Sequence, residues 1–161
     1  MSVPAPTLGT LLRHLTELLD GAVEQAYADA GLDYRSRYTP VVRTLLRLGP
    51  STVRAISQNA GLTHSAASQT VAQMARQGLV KVRPGDEDAR ERIVELSAAA
   101  KKIVPELERC WAATAQAAQS LEQDLAVPLS QVLRDAIQVL EQRSFGERLA
   151  DAWRNQAKKK R

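Results

Sequence analysis

A run of small polar residues on one face of a predicted helix is the most distinctive chemical feature of the sequence. We predict this helix from its cap at Thr63 to Gln77, with an apolar inner side. Small polar side chains can approach the edges of bases, and a helix N-terminus favours nearby phosphates. The outer face is therefore predicted to contact DNA through six residues: Thr63, His64, Ser65, Ser68, Gln69 and Gln73.

The charge around this helix supports the same interpretation. No acidic residue occurs from Ala55 to Gly85, whereas surface helices commonly carry paired acidic and basic residues. Absence of acid suits docking on a polyanion, and the chain as a whole has a formal net charge of +4. A solvent-exposed face that happens to be neutral is the alternative.

A second cluster of polar residues lies on a predicted β-hairpin. Residues 79–83 alternate basic with apolar residues, residues 84–89 have the composition of a turn, and residues 90–96 form the returning strand. The proposed DNA contacts here are Arg83, Asp88, Arg90 and Arg92. Asp88 can hold the Arg90 guanidinium while Arg90 enters a narrow minor groove, where negative potential is concentrated. A solvated turn of mixed charge is the alternative.

Further cations near these elements are candidates for contacts to DNA phosphates, which position a protein on the duplex. They are Arg43, Arg47, Arg54, Arg76 and Lys81. The basic balance of the chain is compatible with this role but does not prove it.

The sequence offers little for other kinds of chemistry. It has no Gly-rich phosphate loop, no nucleophile elbow and no cluster of His with carboxylates, so we expect no enzyme and no catalytic residue. Two distant histidines and the single Cys110 give no metal-ligand spacing, and no cofactor is expected. We expect Cys110 to be an inert buried thiol, with a redox sensor as the alternative.

Compartment can also be predicted. One cysteine suits a reducing environment, no window is apolar and long enough to span a membrane, and the N-terminus lacks the pattern of a secretory signal. The sequence therefore predicts a cytoplasmic protein with no membrane partner.

The positioning elements follow from periodicity and from helix start and stop signals. A helix begins at Thr39–Pro40 and stops at Gly49–Pro50, a second runs from a cap at Ser51 to residue 60, and Gly61 permits a tight turn into the third. Followed by the hairpin, this order predicts a winged helix-turn-helix. The fold class is therefore mainly α with a small β-hairpin.

Helices on either side are predicted to form a separate helical region. Residues 8–26 carry a leucine-rich stripe, part of which we expect to pack against a second chain, although packing within the same chain is the alternative. A long helix follows a cap at Ser97 and bends near Pro105, and another starts at Pro128. The inward-facing residues of this last helix are predicted to be Leu129, Val132, Leu133, Ala136, Ile137 and Leu140.

The chain ends with a short amphipathic segment. Ser144 and Glu147 form a capping-box pattern, and Phe145, Leu149 and Trp153 form an apolar stripe. We predict a winged helix-turn-helix domain over 39–97, a helical dimerisation region over 8–30 and 98–156, and disordered tails at 1–7 and 157–161.

Three segments of the sequence resemble the MarR family of transcription regulators. They are Val53–Thr63, Gln77–Val80, and Asp86–Arg90 with the following Ile93–Ser97. The resemblance implies a homodimer on a pseudo-palindromic operator, often released by a small aromatic or phenolic effector. We expect this regulator to be a repressor, with an activator as the alternative. It also implies that Ser68 and Gln69 read bases and that Arg90 enters the minor groove.

An effector pocket in this family lies between the DNA-binding lobe and the dimer helices. Tyr34, Arg35, Tyr38 and Trp111 are the candidate ligand contacts here, and ordinary packing is the alternative for each. For the whole chain, the alternative function is a helical dimeric interaction or scaffold protein whose winged lobe binds protein instead of DNA.

Overall fold

A computed structural model describes residues 5–85 and 91–159 of the chain. The described residues form seven α-helices: α1 (Leu8–Asp29), α2 (Thr39–Leu48), α3 (Val53–Ala60), α4 (His64–Arg76), α5 (Ala98–Gln123), α6 (Leu129–Gln142) and α7 (Phe145–Lys159). A short 3₁₀ turn, Ser36–Tyr38, precedes α2. Three strands, β1 (Ser51–Thr52), β2 (Val80–Pro84) and β3 (Arg92–Leu96), form one antiparallel sheet. The predicted fold class is confirmed.

The turn between α3 and α4 has the predicted geometry. Gly61 has φ 65° and ψ 30°, a left-handed conformation that costs glycine little because it has no Cβ. The backbone N–H of Leu62 donates to Ser57 O at 3.0 Å, which closes the end of α3. Thr63 then caps α4, since its Oγ1 accepts from the N–H of Ala66 at 3.1 Å.

The start of α3 differs from the prediction. Ser51 does not cap this helix, because it lies in β1 and pairs with Val94 of β3. The cap is Thr52, whose Oγ1 accepts from the N–H of Ala55 at 3.1 Å. Both residue types can cap a helix. Strand pairing takes up Ser51 and leaves Thr52 as the cap, and the local sequence does not predict that pairing.

The two outer strands of the sheet are connected to helices, since β1 directly precedes α3 and β2 follows α4. Strand β3 lies in the centre of the sheet, between β1 and β2. At the end of α4, Leu79 donates to Met74 O at 2.9 Å and Gly78 donates to Ala75 O at 3.0 Å. This is the predicted Schellman ending, with Gly78 at φ 70°.

Contacts divide the chain into two compact units, residues 1–112 and 113–161. The first contains a continuous core built from the winged helix, the end of α1 and the beginning of α5. Its most completely buried side chains are Tyr27, Tyr38, Val41, Val42, Ile56, Met74, Val94 and Leu107.

The second unit contains the end of α5 and helices α6 and α7. The predicted inward face of α6 is wrong for this single chain, because no residue of α6 is buried and Ile137 is 57% exposed. The capping box before α7 is present, with Ser144 N–H donating to Glu147 Oε2 at 2.8 Å and Glu147 N–H donating to Ser144 Oγ at 3.2 Å. The stripe of Phe145, Leu149 and Trp153 is exposed as well.

Helix boundaries at the two termini extend beyond those expected. Thr7, assigned to a disordered tail, caps α1 by accepting from the N–H of Thr10 at 3.2 Å. Helix α7 continues to Lys159, so residues 157–159 are helical. Helix α5 starts after Ser97, whose Oγ accepts from Ala100 N–H at 3.0 Å as predicted, and it continues through Pro105.

Candidate nucleic-acid interface

The polar face of α4 is presented to solvent. Thr63, His64, Ser65, Ser68 and Gln69 are exposed, and Gln73 is half-buried, while the opposite side of the helix enters the core through Ala67, Val71 and Met74. The helix therefore has the one-sided burial that a recognition helix needs. Thr63 has a structural task too, because its hydroxyl oxygen already caps the helix.

A groove of about 310 Å³ separates the start of α4 from the wing. Its lining combines hydroxyl, imidazole and guanidinium groups with one carboxylate and one apolar side chain: Thr52, Val53, Arg54, His64, Ser68, Glu91 and Arg92. The groove brings together four residues predicted separately, His64 and Ser68 from α4, Arg54 from α3 and Arg92 from β3. Two guanidinium groups beside hydroxyl groups suit contacts with phosphate oxygens.

The wing carries its cations on β2 and β3. Lys81 and Arg92 are exposed, and Arg83 is half-buried with its Nη1 donating to Pro84 O at 3.3 Å. Strand pairing places Pro84 opposite Arg92, and Gly85 N–H donates to Glu91 O at 2.8 Å. The predicted contacts Asp88 and Arg90 lie outside the described residues.

The remaining cations lie on the surface of the helix-turn-helix. Arg54 and Arg76 are exposed on α3 and α4. Arg43 and Arg47 are exposed one turn apart on α2, where Arg47 Nη2 donates to Asn59 Oδ1 at 2.8 Å. The phosphate contacts predicted for these cations stay predictions.

The candidate ligand residues are brought together, but as a packed cluster. The rings of Tyr34 and Tyr38 meet edge to face with centroids 5.7 Å apart, and both side chains are buried. Trp111 is buried too, and its Nε1 donates to the hydroxyl oxygen of Tyr27 at 3.1 Å. Arg35 stays exposed and pairs with Glu24 at 3.4 Å. A ligand could reach these three rings only after the cluster opened.

Burial in this cluster changes the acidity of Tyr34. Loss of contact with water raises the pKa of the Tyr34 phenol well above its ordinary value. The hydrogen bond to Thr39 and the positive charge of Arg43 act in the opposite direction with smaller effect. The phenol therefore stays protonated and donates to Thr39 Oγ1 at 3.4 Å.

Sequence reasoning missed two residues, one in the aromatic cluster and one in the groove beside α4. Tyr27 is one, since it packs on Tyr34 with ring centroids 4.9 Å apart and accepts the Trp111 hydrogen bond. The sequence signal for Tyr27 was an aromatic residue in α1 that does not belong to the leucine-rich stripe. Glu91 of the groove was also missed, and nothing in the local pattern marks it.

Among residues 5–85 and 91–159, no group of three or more His, Cys, Asp or Glu side chains is arranged to hold a metal ion. Within the same residues, no helix combines the length and apolar character needed to cross a membrane. Cys110 is half-buried, so the burial expected for this thiol from the sequence is only partial, while its chemical inertness stays a prediction.

Comparison with known proteins agrees with this geometry. The family model described as "MarR family" matches residues 31–91, which include the helix-turn-helix and most of the wing. The resemblance drawn from the sequence is thereby confirmed. No curated protein matches the chain in sequence.

Solved structures share the fold over most of the chain. PcaV from Streptomyces coelicolor, in complex with its natural ligand, is 20% identical with a TM-score of 0.60, covering 88% of this chain and 99% of that one. BpsR from Bordetella bronchiseptica, whose DNA binding is regulated by 6-hydroxynicotinic acid, is 17% identical with a TM-score of 0.61, covering 89% and 99%. A mutant MarR from E. coli complexed with operator DNA is 16% identical with a TM-score of 0.59, covering 83% and 92%.

Proposed function

We propose that this chain acts as a homodimeric repressor, because residues 31–91 match the model of the MarR family of DNA-binding regulators. Each subunit presents the polar face of α4 to the major groove of a pseudo-palindromic operator, with its wing on the adjacent minor groove. The cytoplasm is the proposed compartment. The supporting observation is the groove between α4 and the wing, where Arg54, Arg92, His64 and Ser68 converge.

Support for the homodimer comes from exposed apolar faces on the helices that precede and follow the winged helix in the chain. In α1, Leu8 and Leu18 are 68% and 61% exposed, and α6 and α7 carry a further row of exposed large apolar residues. Rows of exposed large apolar residues on a helix mark interaction sites. A second copy brings the same faces, so symmetric pairing would cover them on both chains.

Release by a small aromatic or phenolic effector is the finer part of the proposal. PcaV and BpsR were both solved in connection with small ligands, and one related structure, NadR, holds 4-hydroxyphenylacetate. In this chain Tyr34, Tyr38 and Trp111 fill their shared space, so an effector would have to separate them. Effector binding here would therefore change how α1, α2 and α5 pack.

The decisive experiment is selection of bound duplexes from a random pool with the purified full chain. We expect a two-fold symmetric site, with half-sites about 34–36 Å apart, one helical turn of DNA. Gln69→Ala should change the preferred base at one position of each half-site. An exposed glutamine outside the groove gives the matched control, Gln138→Ala, which should leave the preference unaltered.

Two results would contradict the proposal. Recovery of unrelated duplexes at low salt would remove sequence-specific binding, and a dimer with no affinity for DNA would favour the scaffold alternative. An unchanged base preference in Gln69→Ala would remove the role assigned to that side chain.

A further inference from the structure

Helix α7 (Phe145–Lys159) has an apolar stripe that the rest of the described chain leaves uncovered. Phe145, Leu149 and Trp153 are 65%, 51% and 66% exposed. Because they stand four positions apart, they share one side of the helix. The capping box of Ser144 and Glu147 starts this helix without help from another element, so the stripe is formed before any partner binds.

The positive charge of the chain is concentrated around this helix. Residues 145–161 contain six lysine and arginine residues against two acidic ones, whereas residues 1–144 contain sixteen of each charge. The formal net charge of +4 therefore lies entirely in the segment that contains α7. By contrast, α1 and α6, whose exposed apolar faces support the proposed homodimer, each have more acidic than basic residues. The stripe of α7 therefore suits an anionic partner, and the faces of α1 and α6 do not.

The two acidic residues of α7 lie on the side of the helix away from the stripe. Glu147 and Asp151 stand two positions before and after Leu149, which places each of them about 160° around the helix from it. Asp151 also forms ion pairs with Arg143 and Arg154, so its charge is offset by neighbours in the chain. Neither carboxylate therefore faces an anionic surface that contacts the stripe.

A lipid surface fits this combination better than DNA or a second copy of the chain. The phosphates of DNA would attract the cations, but they offer no apolar phase for three large exposed side chains. A second copy presents the same excess of positive charge, which opposes the pairing of stripe with stripe. An anionic bilayer matches both features, because the acyl boundary takes the apolar face and the headgroups attract lysine and arginine.

We propose that α7 is a docking helix for an anionic lipid surface, with Phe145, Leu149 and Trp153 entering the membrane interface, where tryptophan is enriched. The sequence expectation of no membrane partner rested on spanning segments and secretory signals. A helix that lies in the membrane plane needs neither of them. The cytoplasmic leaflet carries anionic lipids, so this site agrees with the proposed cytoplasmic compartment. It does not depend on the proposed DNA binding.

The test measures binding of the purified full chain to vesicles and uses Trp153 as a reporter of insertion. Vesicles contain phosphatidylcholine alone or mixed equally with phosphatidylglycerol, and a second set carries bromine on the acyl chains, which quenches inserted tryptophan. We expect co-sedimentation with the mixed vesicles, much less with phosphatidylcholine alone, and quenching by the brominated lipid. The quenching should be absent in Trp153→Phe, because the other tryptophan, Trp111, is 7% exposed and packs in the core.

Two substitutions that add the same charge separate the apolar stripe from the electrostatic attraction. Leu149→Glu places a carboxylate in the stripe, and Asn155→Glu places one at an exposed position outside it, so neither should disturb the core. Asn155→Glu should weaken binding to the mixed vesicles about fivefold, the effect of one charge near an anionic surface. Leu149→Glu should weaken it by about a further tenfold, because the apolar face is interrupted as well.

Absence of binding to the mixed vesicles would overturn the proposal. Equal binding by Leu149→Glu and Asn155→Glu, or vesicle binding without quenching of Trp153, would overturn it as well.

Sedimentation equilibrium without lipid tests whether a second copy covers the stripe instead. We expect Leu149→Glu and Asn155→Glu to give the same dissociation constant for the dimer, since α1 and α6 offer apolar faces for pairing. Weaker dimerisation in Leu149→Glu alone would assign the stripe to the second copy and overturn the lipid proposal. None of these measurements includes a duplex, so a chain that binds no DNA would remove the proposed function and leave this proposal standing.

Discussion

Residues 1–112 and 113–161 use the same sequence pattern with opposite results. In the first unit, apolar residues at helical spacing meet in one core that contains Ile56 and Leu107 at 0% and 1% exposure. In the second, the same spacing on α6 and α7 leaves no buried side chain among residues 113–157. Periodicity thus predicts a helix and its apolar face, but it does not predict which partner covers that face.

The largest expected effect is on the first unit, where the core is complete within one chain. Ile56→Ala should lower the free energy of unfolding by about 2–5 kcal/mol, since it removes buried methyl groups and leaves a cavity. Chemical denaturation followed by circular dichroism measures this loss. The difference from the parent should be the same at all protein concentrations, and a loss below the range would mean that the core is less tightly packed there.

A smaller effect of a different kind is expected from the same substitution in the second unit. Ile137→Ala should weaken dimerisation by about tenfold, because about 1.4 kcal/mol of burial at the interface corresponds to that factor. Sedimentation equilibrium measures it directly. Gln138→Ala, on the side of α6 opposite the middle of its predicted apolar face, is the matched control. Equal dissociation constants for Ile137→Ala and the parent would exclude this face from the dimer.

The smallest effect concerns the cap of α7. Hydrogen bonds from Ser144 lower the pKa of the Glu147 carboxyl. The stabilisation is therefore present above the ordinary glutamate pKa of about 4.3 and is lost as pH falls through the lowered value of the folded chain. Helicity in the far ultraviolet should decline slightly over this acid range.

Glu147→Gln separates this effect from general acid unfolding. The amide can still accept the capping hydrogen bond but does not titrate in this range, so the acid decline should become smaller. Glu141→Gln, on exposed α6, gives the comparison. A decline that is identical in all three proteins would mean that the cap contributes nothing measurable.

Much of the first unit could be predicted because its signals are local. Gly61 and Gly78 mark backbone positions with positive φ, Thr63 marks a helix start, and alternation marks the hairpin, so each follows from a few neighbouring residues. The choice between Ser51 and Thr52 as a cap was not local, since it depended on pairing with a strand some 40 residues later.

The candidate site also combines features that local sequence predicts with features that it does not. Exposure of Ser68 and Gln69 follows from helical periodicity and was predictable. The joining of Arg54, His64 and Arg92 in one groove depends on tertiary packing, as does the Trp111–Tyr27 hydrogen bond across 84 positions of sequence. Neither the residue types nor their spacing in the sequence predicts such long-range contacts.

The short strand β1 has a consequence for how the wing can meet DNA. Because β3 is hydrogen-bonded on both edges, Arg92 cannot slide along the sheet without breaking pairs to β1 and β2 together. The spacing between Arg92 and the first turn of α4 is accordingly set before any duplex arrives. In the proposed complex, an operator that requires a different spacing would be accommodated by bending of the DNA, and base steps that the protein does not touch would then contribute to its selectivity.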